Sequence, residues 1–409
     1  MRILILNHYA TSPDSIGISR HFDLSKYLVK NHDVKVEIIA SSFNHQTRKE
    51  EHILDNKKLV KKNYSGVNFI WLKTKSYTKN DINRVLNILS YSFKAYSYLK
   101  LIKKEERPDI IIGSLMHPLA SLLAMHFAKK WNVKFVFEER DLWPQSLIDL
   151  GKVKKDNFVV KILDKVESLL YKNSYKIIFL FDKAHIYARK KGVSQDKIIY
   201  LPNGVDLERL DNNKNVKLEN EISNFLNMHS DKIIGIYSGA HSLANDLDDL
   251  VEAIREVDKR YHFIFIGDGP EKKRIISYCK KNNIDNITFF DAINKNSLQK
   301  LLTMCDFGVI KFKDLPVYQW GVSPNKIYDY MGASLPVIMG LRDKDNIIED
   351  SHAGIIISNE FNYKFKEILS DLDKEDFTQM GFRARKLAES NFSWERLANK
   401  LYYELSNED

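Results

Sequence analysis

The chain has only two cysteines in 409 residues, Cys279 and Cys305. No disulfide framework and no thiolate metal site can be built from them. Both fall on segments of helical spacing, which predicts free thiols in a reducing compartment. The 12 histidines form no H-E-x-x-H or comparable cluster, so no bound structural metal is expected. Missing too is any apolar run of the roughly 18–20 residues that span a bilayer. The opening Met1-Arg2-Ile3-Leu4-Ile5-Leu6-Asn7 lacks a long apolar core and a small-residue cleavage site. It reads as a first strand rather than a signal peptide, and the expected location is cytoplasmic. There is no internal repeat, no low-complexity tract, and no RNP, helix-turn-helix or zinc-finger pattern, so no nucleic-acid partner is expected.

What the chain does have is length, charge and a repeating alternation. At 409 residues it exceeds one ordinary core and favours two domains. Its charge is uneven: residues 1–205 carry 36 Lys+Arg against 20 Asp+Glu, a formal +16, whereas the remainder carries −7. The first half therefore suits an anionic surface, with a solvated lysine-rich face as the plainer alternative. Residues 2–7 read as a buried strand, followed by a loop through Gly17, an amphipathic helix at 21–29 and a strand at 34–39. Further apolar runs at 67–72, 110–112, 134–137 and 176–180 alternate with helical segments such as 119–131 and 158–171. The pattern restarts after Leu201-Pro202-Asn203-Gly204, with strands at 233–237, 263–266, 287–290 and 307–310 between helices. This predicts an α/β protein of two doubly wound, Rossmann-like domains, 1–203 and 204–389, facing a central cleft. A closing helix within 390–409 is expected to return to the first domain.

The densest chemistry lies at 321–339. Pro324 fits the first turn of a helix, Ile327, Tyr328 and Met331 recur at helical spacing, and Leu335-Pro336-Val337-Ile338 reads as a buried strand. Lys326 and Asp329, three residues apart, share one face. A cation near free N–H groups suits a diphosphate, and a carboxylate one turn deeper suits ribose hydroxyls. A surface ion pair is the plain alternative. Ser323 and Asn325 flank the lysine and are counted with this site. Gly267-Asp268-Gly269 and Gly239-Ala240-His241 each follow a strand, where glycine lets a ligand approach the backbone; a tight turn with no ligand is equally compatible, and His241 either meets a phosphate or acceptor or is a satisfied loop histidine. In the first half, Glu138-Glu139-Arg140-Asp141 crowds four charges at a strand end, which either face substrate or close on themselves as a loop salt bridge. Gly17 offers backbone approach after the first strand.

Taken together, 16–28 (IGISRHFDLSKYL), 202–210 (PNGVDLERL), 263–275 (FIFIGDGPEKKRI), 323–338 (SPNKIYDYMGASLPVI) and 392–398 (FSWERLA) resemble retaining glycosyltransferases of family 4, of GT-B fold. Residues 138–144 (EERDLWP) and the SPNK stretch are most similar to the bacterial branch that builds capsule, O-antigen and colanic acid, including N-acetyl-L-fucosamine transferases. The resemblance implies a UDP-sugar donor held by the second domain, with Asp329 on the ribose and Lys326 on the diphosphate. It implies Glu139, Arg140 and Asp141 facing donor sugar or acceptor, a polyprenyl-diphosphate-linked acceptor, and no metal or other cofactor. The chain departs from the wider family at Gly321, where its first motif glutamate would stand, and at Asn245-Asp246, where many members carry a phosphate-binding lysine. A nucleotide-sugar 2-epimerase and a non-catalytic nucleotide-sugar-binding protein share the architecture and stay open as alternatives.

The helix at 82–104 carries aromatic and apolar residues over much of its surface and lysines at its end. Phe93, Tyr96, Lys100 and Lys103 are the residues expected to touch the inner leaflet of the cytoplasmic membrane, with Lys152, Lys154, Lys155 and Lys161 as a second basic contact. From the pattern alone, a core-packed helix is the alternative.

Overall fold

The computed structural model describes residues 1–17, 19–79, 81–213, 216–342 and 346–407. The last two residues of the expected closing helix lie outside the described residues. The chain divides into two compact units, Met1–Pro202 with Trp394–Asp409, and Asn203–Ser393.

The first unit is built on an eight-stranded sheet in the order Ile198–Tyr200, Lys176–Phe179, Lys134–Glu139, Ile110–Ser114, Arg2–Leu6, Lys35–Ser41, Val67–Leu72, Leu59–Tyr64. Ile3, Leu4, Ile5 and Leu6 are all buried, as a parallel strand covered on both faces requires. Strand order reverses between Arg2–Leu6 and Ile110–Ser114, and such a switch point opens a crevice at the strands' carboxyl ends. Leu59–Tyr64 is an antiparallel edge strand that the sequence pattern did not flag. Ser65 (φ 49°) and Gly66 (φ 86°) make the two-residue turn that joins it to its neighbour. The returning helix is Trp394–Ser406, with Trp394, Leu397 and Leu401 in the same core as Phe22, Leu24 and Leu28. Residues 390–393 belong to the second unit, where Ser393 bridges to Val205.

Helix Ile82–Lys100 resolves its own ambiguity by having two faces. Asn87, Tyr91, Ala95 and Leu99 are buried at four-residue spacing, and Tyr91 Oη donates to the Ile39 carbonyl at 2.8 Å. Ile82, Val85, Leu89, Phe93 and Tyr96 on the remaining surface are exposed, Phe93 to 72%.

The second unit carries six parallel strands ordered Ile287–Phe290, Tyr261–Ile266, Ile233–Ser238, Phe307–Lys311, Val337–Gly340, Gly354–Ile357, which is the Rossmann order. Its switch point falls between Ile233–Ser238 and Phe307–Lys311. The strand expected at 335–338 begins at Val337 instead, because Pro336 has no N–H to give to a ladder. Pro324 caps its helix rather than opening it. Its carbonyl accepts from the Ile327 N–H at 3.2 Å and Asn325 is the first helical residue.

Candidate functional site

In the second unit, helix Asn325–Gly332 starts beside the switch point and aims Lys326 at the end of the central strand. The Lys326 Nζ is buried, has no hydrogen-bond partner among the described residues, and lies 4.0 Å from the Tyr237 ring centroid. Burial lowers its pKa from the ordinary lysine value to about 7. A buried ammonium set against an aromatic face is costly by itself and strongly rewarded by an incoming anion. Tyr330 fixes the helix in place, its hydroxyl accepting from the Ser238 N–H at 2.7 Å. Asn325 and Asp329 are both half-buried on the same helix.

Other residues counted with this site have structural duties. Ser323 is buried and committed: its hydroxyl accepts from the Asn203 N–H at 2.9 Å and shares a hydrogen bond with Tyr328 Oη at 2.8 Å. It pins the loop before the helix and is not available to a nucleotide. Gly267 and Gly269 make room for backbone rather than ligand. A Cβ on Gly267 (φ 143°) would sit 2.0 Å from the Gly239 carbonyl oxygen, and one on Gly269 would sit 2.2 Å from that of His241. A Cβ on Gly239 would in turn come 3.1 Å from Lys326 Nζ. The two strand-end loops are thus packed main chain to main chain, and Asp268 is exposed at the rim, its carboxylate accepting from the Gly269 N–H. His241 is fully buried beneath them, both ring nitrogens lack partners among the described residues, and burial takes its pKa to about 4. Within the protein alone it is therefore neutral at physiological pH.

Two lysines that the sequence reading passed over hold this scaffold. Lys272 Nζ donates to the Gly267 and Phe290 carbonyls and to Asp291, at 2.9, 2.8 and 2.6 Å. Lys311, ending the fourth strand, reaches Asp246 at 3.1 Å and Asp249 at 3.2 Å. Asp246, found where a phosphate-binding lysine was expected, is thus itself held by a lysine.

In the first unit, the acidic strand end divides between two faces, as alternate strand residues must. Glu138 accepts from Arg20 Nε at 2.8 Å and Ser114 Oγ at 2.6 Å and pairs with His21 Nε2 at 2.7 Å. Burial pushes its pKa up, yet His21 and Arg20 hold it well below the ordinary carboxylate value. Glu139 points the other way and is completely buried against helix Phe158–Asn173, hydrogen-bonded by Tyr171, which also bonds Glu167 at 3.3 Å. Burial and then the Glu167 charge raise its pKa well above normal. Its expected place facing donor sugar or acceptor is therefore wrong: it belongs to an interior carboxyl pair steadied by Lys191. Arg140 and Asp141, past the strand end, do reach the surface, half-buried and exposed respectively. Gly17 (φ 146°) is required by Thr11, whose Cγ2 would lie 2.6 Å from an added Cβ, so its lack of a side chain serves the loop.

The sequence reading also missed an imidazole pair at this unit's switch point. His8 Nδ1 and His117 Nε2 share a hydrogen bond of 3.0 Å, and His8 is stacked between Tyr9 and Tyr91 at 4.2 and 4.4 Å. The signal available was position alone, since His8 follows the first strand and His117 the strand Ile110–Ser114.

Residues 17–209 match the family model described as Glycosyltransferase Family 4, and residues 232–372 match that described as Glycosyl transferases group 1. An uncharacterized glycosyltransferase of Methanocaldococcus jannaschii is 27% identical over 371 residues, covering 85% of this chain and 92% of that protein. Among solved structures, sucrose-phosphate synthase from Thermosynechococcus elongatus superposes with a TM-score of 0.71 at 15% identity, covering 99% of this chain and 98% of that one. Anabaena HepE in complex with UDP gives 0.66 at 13% identity, covering 99% and 100%.

Proposed function

We propose that this chain, two lengths of which match glycosyltransferase family models and whose fold is GT-B, is a family 4 glycosyltransferase that transfers a sugar, with retention and without a metal, from a UDP-sugar to a polyprenyl-diphosphate-linked saccharide. The observation that carries this reading is the buried Lys326 ammonium at the carboxyl end of the central strand, unpaired among the described residues. The donor's diphosphate supplies the counter-charge that Lys326 lacks, together with the free N–H groups at the start of helix Asn325–Gly332. Asp329 takes the ribose hydroxyls, with Asn325 beside it. In the first unit Arg140 and Asp141 meet sugar or acceptor.

In the reaction, the acceptor hydroxyl oxygen bonds to the anomeric carbon as that carbon's bond to the diphosphate breaks. The acceptor proton passes to the departing phosphate oxygen, on the same face. Lys326 stabilises the charge that develops on the leaving group. An N-acetylated donor such as UDP-N-acetyl-L-fucosamine, a role in bacterial capsule or O-antigen synthesis, and a cytoplasmic protein held peripherally at the inner leaflet complete the reading.

The test is mass spectrometry after incubation with a panel of UDP-sugars and short lipid-diphosphate saccharides. One added sugar residue on one acceptor, with UDP released, is the expected result; no product from any pair overturns the reading. Gly321, standing where an acid is expected, favours a second reading, a non-catalytic nucleotide-sugar-binding protein. That protein would bind UDP in calorimetry yet never release it from a donor.

A further inference from the structure

At the carboxyl ends of the first unit's strands lies a cavity of about 110 Å³, lined among others by Tyr9, Thr11, His45, His52, Trp71 and Arg140. Three features define what it can hold. Its walls are aromatic: the His52 ring stacks on Trp71 at 3.7 Å, and His45 stacks on Tyr9 at 4.7 Å. Burial takes both histidines to a pKa of about 4, so they offer flat, uncharged faces. Such surfaces suit the C–H face of a pyranose ring.

The second feature is unmet donors. Trp71 is 1% exposed and its Nε1 has no hydrogen-bond partner among the described residues, nor has the buried Thr11 Oγ1. Leaving such groups desolvated and unpaired is costly, and ligand oxygens would remove that cost. An indole N–H can only donate, so the ligand must be rich in acceptors.

The third is charge. Among the described residues, Arg140 is the one charged side chain lining the cavity; farther out, Arg48 and Arg84 act on His45, and Glu51 and Asp14 together with Lys62 act on His52. A guanidinium recognises carboxylate or phosphate through paired N–H groups.

We infer that this cavity is a subsite for an anionic pyranose, a sugar ring bearing a carboxylate or a phosphate, stacked on the aromatic wall with its acidic group at Arg140. The assignment rests on the glycosyltransferase reading above and gives the class of saccharide that the first unit recognises.

Ligand-observed NMR titration of the full chain tests it with methyl glucuronide, N-acetylglucosamine 1-phosphate and neutral methyl N-acetylglucosaminide. At least one anionic probe should bind tenfold or more tightly than the neutral one, and the two anionic arms tell carboxylate from phosphate. Arg140→Gln should abolish that preference. Thr11→Val should weaken the preferred probe about fivefold without lowering the unfolding temperature, because the hydroxyl removed has no partner among the described residues. Equal binding of charged and neutral probes, no binding of any, or an unchanged preference in Arg140→Gln would overturn the assignment. UDP is titrated into the same samples. Retained UDP binding shows that each variant is folded and confines a failure to the subsite, whereas a parent chain that binds no UDP defeats the donor reading itself.

Discussion

Lys326 and the pair Glu138 and Glu139 show how a residue's duty depends on what surrounds it. Lys326→Ala should lower turnover by about a hundredfold or more if the ammonium stabilises leaving-group charge; steady-state rates at saturating donor check this. The same lysine leaves a mark on stability. Its folded pKa of about 7 lies below the ordinary 10.5, so folding expels a proton between those values and the burial cost is fully present below pH 7. Lys326→Met should therefore raise the unfolding temperature of the ligand-free protein more at pH 6.5 than at pH 9.5. Equal gains at both would show that the ammonium is hydrated. Glu139 has the opposite sign. Its raised pKa gives stability that is present below about pH 4.5 and lost as pH rises through the folded value. Glu139→Gln, which copies the protonated form at every pH, should lose less unfolding temperature between pH 5 and pH 9 than the parent and keep its turnover. Glu138→Gln instead breaks a buried charge network and should cost about 3–5 kcal/mol of stability in denaturant titrations. Neighbours in sequence, the two glutamates sit on opposite faces of one strand.

At the scale of elements, the two strand-end loops of the second unit and helix Asn325–Gly332 are one assembly. Gly267 admits the Gly239 carbonyl, Gly239 admits Lys326, and Lys272 ties Gly267 to the neighbouring strand end. Gly267→Ala would force a Cβ onto backbone at a positive φ, which costs about 1–3 kcal/mol. It should also weaken UDP binding, since Gly239 cannot retreat without displacing the lysine. Calorimetric titration of UDP alongside thermal melting checks both, and a melting loss with intact UDP binding would separate the loop from the site. Helix Ile82–Lys100 makes the complementary case. Its buried stripe at 87, 91, 95 and 99 belongs to the core, leaving the apolar residues on its other surface without cover among the described residues.

For the molecule as a whole, the proposed membrane contact rests on that exposed stripe together with the +16 formal charge of residues 1–205. Sedimentation with anionic liposomes should lose bound protein when Phe93, Tyr96, Lys100 and Lys103 are replaced. Binding should also fall on going from about 0.1 to 1 M salt, as the screening length shrinks from about 10 to 3 Å. Binding that ignores both changes would remove the membrane from the reading. Two Rossmann-like sheets were legible in the sequence because parallel strands buried on both faces must be continuous apolar runs, as at Ile3–Leu6 and 263–266, and helices between them must be amphipathic. The Lys326–Asp329 spacing was legible for the same local reason, the pitch of a helix. Other assignments depended on atoms far away in the chain. That Ser323 is spent on Asn203, 120 residues distant, that Glu139 turns to Tyr171 rather than to substrate, and that His8 meets His117 across 109 residues follow from strand order and pairing. Periodicity determines which residues share a face, and so it determined the fold. Which group that face meets is set by long-range packing, and only the tertiary structure decided which of these residues remain available for chemistry.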